Sequence, residues 1–471
     1  QNSLGSNTTA SDNTAVGHQA LFTNVTGANN TAIGKNALYY NTASSNTAVG
    51  QLAMTNTTTG ASNTAVGQNA LTANTTGTQN VAIGVNSLDA NTTGGYSVAV
   101  GNSALGAQTT GENNVAVGRT ALAALTTGTR NTVVGGSYAL GAGAAVTTGY
   151  HNVFVGNDAA GTTTTGHNNT VVGTEALKLN TTGAGHVAIG TKALCSNTTA
   201  GYNVAVGREA LKLNTTGSNN TAIGTDSLNA NTTGVSNTAF GCNALGANTT
   251  AHNNTAVGVS ASLVSTTAQC NVMMGVSAGA TVTTASQSVF VGHEAGNSTT
   301  TGSSSVGIGR RAKTGTTGGS NNIIGGDSGG SITSGFYNNG IGNSHFPSLT
   351  TGTNNIAIGH DSGSCVTTGC DNIMIGYKTN TSNTDTENTI IIGMGDGINK
   401  FIADGDNRIK MGKRTANINN NFGSDANWSH ASDARYKKNV QDNTIGLDFI
   451  NDLRTVTYQW KAQSELDPSL A

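Results

Sequence analysis

The sequence is short of the residues on which most folded domains depend. Charged residues make up 9% of its 471 positions, aromatic residues 4%, and proline occurs 2 times. So few large side chains leave little bulk for a wide core, and such a composition is by itself typical of a disordered chain. The formal net charge is −2, and the repeats described below contain no basic patch of the kind that binds nucleic acid.

Long apolar runs and a cysteine framework are also missing. Apolar runs extend over only a few residues, so no segment is predicted to span a membrane. The chain begins at Gln1 without a signal peptide, as expected of a processed or partial chain. The five cysteines have no framework spacing. Cys365 and Cys370 are near enough in sequence to pair, but two free thiols are expected.

Glycine, in contrast, is abundant, and its spacing shows an array. The motif Asn-Thr-Ala-Val-Gly at Asn13–Gly17 recurs, mostly in steps of 17 residues, until the closing glycine reaches Gly393. There are 23 copies, with one longer step from Gly135 to Gly156. This periodicity predicts a repeat protein rather than two or three separate globular domains.

Each repeat contains one short strand. The residue before the glycine is large and apolar in all 23 copies, and the residue four positions before it is asparagine in 18. β-Branched residues dominate this segment, which predicts a strand that ends at the glycine. Because side chains alternate along a strand, the valine before the glycine shares a face with the threonine or valine two positions earlier. Both faces carry apolar groups, so both are expected to be at least partly covered.

A second apolar pair, such as Ala37-Leu38, follows each glycine and is predicted to form another short strand. A polar bend such as Asn74–Gly77 comes next, since asparagine and glycine tolerate positive φ. One such unit cannot bury its own apolar face, so the array predicts a parallel β-solenoid with coils about 4.8 Å apart. The coils would form a rod of roughly 110 Å, with apolar columns and an asparagine ladder. Charges are scarce because a charge at a stacked position would meet its own copy.

The array changes beyond Leu263. The leucine of the second apolar pair is replaced by glycine, for example at Gly279 and Gly296. Either these coils are thinner, or larger residues nearby fill the gap. The candidates for filling it are Phe290, Ile323 and Met374. The longer step, at residues 136–146, is expected to form a loop that bulges from the rod.

Parts of the array resemble a known repeat. Ser97–Leu105 (SVAVGNSAL) and Asn114–Gly118 (NVAVG) resemble the head repeat of trimeric autotransporter adhesins. The resemblance covers residues 1–393. It implies a left-handed parallel β-roll and a homotrimer, in which one strand face fills the roll and the other lies at the trimer axis.

The period stops after Gly393. Residues 394–471 hold 20 of the 44 charged residues and both tryptophans. Residues 400–413 predict a β-hairpin around Asp404–Asn407. We interpret residues 394–431 as a neck or cap, because the bare end of a solenoid exposes unpaired strands.

Residues 432–437 (SDARYK) resemble the start of the intramolecular chaperone of endosialidase, which is found at the ends of phage and viral fibres. Asn443–Leu453 would supply its amphipathic helix, and Leu453–Lys461 the strand that follows. Residues 432–471 are therefore interpreted as the incomplete start of such a domain, which makes a small α+β segment.

This second resemblance implies trimer-dependent self-cleavage between Ala431 and Ser432. Ser432 would be the nucleophile and Lys437 the base, because a buried lysine with a lowered pKa can accept a serine proton. The alternative is that Ser432 only caps the helix that follows it.

No cofactor or metal site is expected. Asp404 and Asp406 allow a calcium loop, but a simple turn is preferred. The repeats offer no convergent set of acid, base and metal ligands for an external substrate, so self-cleavage is the only enzymatic activity considered. The nine histidines share no register and are expected at the surface: His18, His151, His167, His186, His252, His293, His345, His360 and His430.

The sequence thus predicts an all-β structural protein: a homotrimeric fibre shaft at an extracellular or virion surface. Its expected partners are its own copies and a host-surface glycan or protein receptor, with neither nucleic acid nor a membrane span. A bacterial trimeric surface adhesin is one alternative. An ice-binding solenoid is another, because threonine pairs recur at constant spacing, although they lie in glycine-flanked bends.

Overall fold

The computed structural model describes residues 2–136 and 141–423, and the backbone of residues 429–430. This part of the chain is all-β and contains no helix. The strands are β1 (Thr14–Val16), β2 (Thr31–Ile33), β3 (Thr47–Val49), β4 (Thr64–Val66), β5 (Val81–Ile83), β6 (Val98–Val100), β7 (Val115–Val117), β8 (Thr132–Val134), β9 (Val153–Val155), β10 (Thr170–Val172), β11 (Val187–Ile189), β12 (Val204–Val206), β13 (Thr221–Ile223), β14 (Thr238–Phe240), β15 (Thr255–Val257), β16 (Val272–Met274), β17 (Val289–Val291), β18 (Val306–Ile308), β19 (Asn322–Ile324), β20 (Asn339–Ile341), β21 (Ile356–Ile358), β22 (Ile373–Ile375), β23 (Thr379–Thr381), β24 (Ile390–Met394), β25 (Phe401–Ala403), β26 (Arg408–Lys413), β27 (Ala416–Asn421) and β28 (Ser429–His430).

The repeats stack as a parallel β-solenoid of 23 coils, which confirms the predicted fold class. Each of β1–β22 pairs in parallel with the equivalent strand of the next coil, as Thr14 does with Thr31 and Val204 with Thr221. The last strand of the series is β24, which pairs with β22. Identical residues therefore lie above one another, and the register follows from the sequence period.

The glycine that closes each strand, here called the corner glycine, is required by backbone geometry. From Gly17 to Gly376 the φ angles of the 22 corner glycines lie between +126° and +151°, a region that other residues rarely adopt. A Cβ at Gly207 would also lie 2.5 Å from the carbonyl oxygen of Gly224 in the next coil. Backbone conformation and close stacking together explain why no other residue occupies this corner.

The predicted second strand is wrong. Residues around Ala37-Leu38 form a turn, and Leu38 has a φ of +52°. Both side chains are fully buried. Two consecutive residues of a strand point to opposite faces, so a strand in the solenoid wall would turn one of them away from the core. Because Leu38 adopts a left-handed conformation, the chain bends tightly and the side chains of alanine and leucine both enter the core. The Leu38 N–H still donates to the Ala53 carbonyl in the next coil.

Two asparagine columns run through the interior, where one ladder was predicted. In the first, just before each strand, the Asn46 backbone N–H donates to Oδ1 of Asn30, and its Nδ2 donates to the Gly60 carbonyl (2.9 Å each). In the second, which opens the polar bends, Nδ2 of Asn91 donates to Oδ1 of Asn74 at 2.9 Å. Both columns are buried, and these hydrogen bonds replace those lost to water.

Larger core residues fill the later coils, as predicted. Phe290, the middle residue of β17, is fully buried, and a Cβ at Gly296 would lie 2.2 Å from its ring. Ile323 and Met374 are also fully buried. An aromatic residue on the strand and a glycine at the turn thus share the volume that alanine and leucine share in earlier coils.

One column at the surface contains charged residues of both signs. Glu175, Lys192 and Glu209 occupy the same position in successive coils, and Lys192 Nζ lies 3.8 Å from a Glu175 carboxylate oxygen. Lys178 forms a closer pair with Glu175, at 2.8 Å. Like charges also follow each other in this column, as Asp226 follows Glu209. Basic side chains beside the column form ion pairs with these carboxylates, as Arg208 does with Asp226 at 3.0 Å.

The predicted hairpin around Asp404–Asn407 is wrong, because residues 401–413 wind through one further coil. β25 pairs in parallel with β23, and β26 pairs in parallel with β24. The antiparallel hairpin is formed instead by β26 and β27. Within this coil, Lys410 Nζ donates to the Ile402 carbonyl at 2.6 Å and lies 5.2 Å from the centre of the Phe401 ring. As for the longer step, residues 141–146 follow the coil path, and residues 137–140 lie outside the described residues.

Candidate assembly interface

The strands present a continuous apolar surface on their outer side. We define the outer ladder as the first and third residues of β1–β22 and the first and third residues of β24. Its third-position residues are all large and apolar: Val16, Ile33, Val49, Val66, Ile83, Val100, Val117, Val134, Val155, Val172, Ile189, Val206, Ile223, Phe240, Val257, Met274, Val291, Ile308, Ile324, Ile341, Ile358, Ile375 and Ile392. None of them is buried in the single chain.

Exposure separates the two faces of each strand. In β5 the middle residue Ala82 is fully buried, whereas Ile83 is 40% exposed. Phe240 reaches 53%. The outer ladder contains no charged residue in any of the 23 coils. An apolar stripe of this length greatly exceeds the scattered apolar residues that ordinary surfaces expose, and such stripes mark interaction sites.

The expectation that the histidines lie at the surface is wrong for His186 and His345, which are buried. His186 takes the place of an asparagine in the first interior column. Its Nε2 lies 2.7 Å from the Ala200 carbonyl, and its Nδ1 accepts the Asn203 N–H at 3.2 Å. This substitution could have been recognised from the register, since His186 stands four residues before the corner glycine Gly190.

Burial lowers the pKa of His186 from 6.5 to about 4, because the charged imidazolium loses its hydration. Because the pKa of His186 is lower in the folded state than in the unfolded state, the folded state favours the neutral imidazole. The neutral imidazole thus contributes up to about 3 kcal/mol to the free energy of unfolding. This contribution is complete above pH 6.5 and is lost as the pH falls toward 4. His345, buried over Gly340, has its pKa lowered for the same reason.

The His186→Asn variant is expected to unfold at lower pH than the wild type, because it restores the asparagine column and removes the neutral imidazole. Circular dichroism during acid titration between pH 7 and 3.5 measures this shift. His151→Asn is the matched control, since His151 is exposed. Equal acid midpoints for wild type and His186→Asn would contradict the role of the buried ring.

The remaining sites predicted from sequence hold no assembled cluster in the described part of the chain. All five cysteines are free thiols, which confirms the expectation for Cys365 and Cys370. Asp406 accepts the backbone N–H of Glu387 at 2.9 Å. Within residues 2–136 and 141–423, no three His, Cys, Asp or Glu side chains are grouped as metal ligands. Ala431, Ser432 and Lys437 lie outside the described residues.

The stacked coils define the class of the array, a parallel β-solenoid repeat protein with a charge-free outer ladder. Residues 432–469 match the family model described as chaperone of endosialidase. The solenoid together with this segment fits a structural protein like those of phage tail fibres. No curated protein and no solved structure matches the chain. Among the described residues, no helix is long and apolar enough to cross a membrane.

Proposed function

We propose that three copies of the chain pack along their outer ladders to form the shaft of an attachment fibre. One observation carries this proposal. In all 23 coils the third position of the outer ladder is a large apolar residue that is not buried, and the ladder contains no charged residue. Burying the exposed part of one such side chain stabilises association by roughly 0.5–1 kcal/mol. The sum, on the order of 10–20 kcal/mol, is comparable to or larger than the usual cost of association.

The number three rests on the two resemblances. The head repeats of trimeric autotransporter adhesins resemble the array, and the endosialidase chaperone implies trimer-dependent processing. The chaperone segment favours a virion or other extracellular fibre over the alternative, a bacterial trimeric adhesin. The shaft would present a receptor-binding surface to a host glycan or protein.

The test is the mass of the assembly under native conditions, with paired variants in the same coils. Wild type is expected to be trimeric. Ile83→Asp and Ile189→Asp, combined in one chain, are expected to yield monomers, because a buried carboxylate without a partner costs several kcal/mol. Thr93→Asp and Thr199→Asp are the matched control, since both threonines are exposed in the bends of those coils. This control is expected to stay trimeric. A wild-type chain that remains monomeric at micromolar concentration would contradict the proposal.

Ice binding is the weaker alternative. The threonine pairs lie in bends and not on a flat strand. The first hydroxyl of most pairs donates to the next coil, as when Thr75 Oγ1 donates to the Thr92 carbonyl at 3.0 Å. The second threonine, such as Thr76, is exposed. Thermal hysteresis in a solution of the purified protein would favour this alternative over the attachment shaft.

Self-cleavage before Ser432 is part of the same proposal. A precursor that includes a complete chaperone domain is expected to shorten at the Ala431–Ser432 bond, with Ser432 as nucleophile and Lys437 as base. Ser432→Ala and Lys437→Met are each expected to leave the precursor intact, as judged by mass spectrometry. Thr455→Ala is a control that is expected to cleave normally. Equal processing of wild type and Ser432→Ala would rule out this mechanism.

A further inference from the structure

A thiol and an ammonium group meet near the C-terminal end of the solenoid. Cys365 lies in the turn that follows corner glycine Gly359 and is half-buried. Its backbone N–H donates to Oδ1 of Asn380 at 2.8 Å, and Nδ2 of Asn380 donates to Oγ of Ser364 at 2.7 Å. Asn380 is fully buried in β23. The backbone that carries the thiol is therefore held in place by the next coil.

Lys400 approaches this thiol from one coil further on. It directly precedes β25, which pairs with β23, and the Phe401 N–H donates to the Lys378 carbonyl at 3.0 Å. The Lys400 side chain extends back over the coil of β23, so that its Nζ lies 3.1 Å from Cys365 Sγ. Among the described residues, no carboxylate pairs with Lys400, and the Cys365 thiol is the partner of its ammonium group.

We propose that Cys365 and Lys400 are a modification site at which dioxygen joins the two side chains through a covalent S–O–N bridge. The S–H bond and one N–H bond break, and S–O and O–N bonds form with one oxygen atom. The other oxygen atom leaves as water, and the ammonium group releases one further proton. Sulfur and nitrogen each lose two electrons, and dioxygen accepts all four, so the reaction needs no other oxidant.

The bridge requires little rearrangement. One oxygen atom must enter between Sγ and Nζ, and the lysine has a flexible four-carbon stem that adjusts to it. The other thiols offer no equal arrangement. Cys370 Sγ lies 3.3 Å from both the backbone nitrogen and Oγ1 of Thr353. Among the described residues, Cys365 is the cysteine whose thiol lies at hydrogen-bond distance from a lysine ammonium group.

Such a bridge would act as a clamp on the end of the shaft. It would connect residues 35 positions apart and enclose the coil of β23 between them. The terminal coils of a stack have a neighbour on one side only, so they open first. A covalent closure removes conformational freedom from the opened state and keeps the last coils in register.

The test compares the masses of the same purified chain handled in air and without oxygen. The aerobic chain is expected to be heavier by about 14 Da, from one oxygen gained and two hydrogens lost. The extra mass is expected to disappear on treatment with a thiol reductant. A proteolytic digest is expected to contain one linked peptide that joins Cys365 to Lys400, with no tryptic cleavage after Lys400.

Three variants distinguish the bridge from other oxidation. Cys365→Ser and Lys400→Arg are each expected to lack the added mass, although Lys400→Arg keeps the positive charge. Cys370→Ser is expected to retain it. The proposal is overturned if the aerobic wild type gains no mass, or if Lys400→Arg gains as much as wild type. A gain of about 16 or 32 Da on Cys365 alone would also overturn it, since this is ordinary thiol oxidation.

Discussion

Replacing Gly207 by alanine is expected to lower the stability of the surrounding coils by about 3 kcal/mol or more. Gly207 has a φ of +139°, a conformation that costs an alanine roughly 1–3 kcal/mol. The new Cβ would also lie 2.5 Å from the Gly224 carbonyl oxygen. That oxygen belongs to the stacked backbone and cannot rotate away as a side chain would. The two coils must therefore separate, which weakens the hydrogen bonds between them.

Hydrogen exchange followed by mass spectrometry is the appropriate measurement, since a long repeat array does not unfold in a single transition. Gly207→Ala is expected to speed exchange in the coils on either side of residue 207. Gly161→Ala is the control, because Gly161 has no positive φ and a Cβ there would be no closer than 3.4 Å to its neighbours. Its effect is expected to be within about 0.5 kcal/mol. Similar exchange in the two variants would contradict the strain assigned to the corner.

Phe290→Ala is expected to cost about 3–5 kcal/mol, because it leaves a cavity in a fully buried position. Gly296→Leu alone is also expected to destabilise, since the added Cβ would overlap the Phe290 ring at 2.2 Å. The double variant restores the alanine–leucine pair of the earlier coils. We expect it to recover most of the stability lost in either single variant.

A double-mutant cycle measures this compensation. Local unfolding free energies from hydrogen exchange in residues 289–312 are compared for wild type, both single variants and the double variant. A coupling energy of at least about 2 kcal/mol is expected. Additive losses, with the double variant worse than either single variant, would show that the two positions do not share one volume.

The core illustrates what sequence patterns could and could not predict. The invariance of the glycine and of the apolar residue before it indicated a strand and its end. The apolar composition of Ala37-Leu38 predicts a strand equally well, because it does not distinguish a strand from a turn that buries consecutive residues. The residue type of His186 predicts a surface position, whereas its register, four residues before Gly190, places it in a buried column.

The candidate interface was predicted only in part. An apolar residue on each strand face indicated that both faces need cover, and the structure leaves the outer face of β1–β22 and β24 at least partly exposed in the single chain. The chemistry expected of Ser432 and Lys437 remains a prediction, since both lie outside the described residues. The proximity of Cys365 and Lys400 could not be predicted, because it depends on how the coils follow one another after the period ends.

The sequence by itself determined the number of repeats, their spacing and their register. Copies that stack must align identical residues, so the period of mostly 17 residues defines which side chains meet. Only the tertiary structure decided which strand face is inside, where the turns adopt left-handed conformations, and which distant residues come together at the C-terminal end of the solenoid. These features depend on the path of the backbone through each coil, which composition and period do not specify.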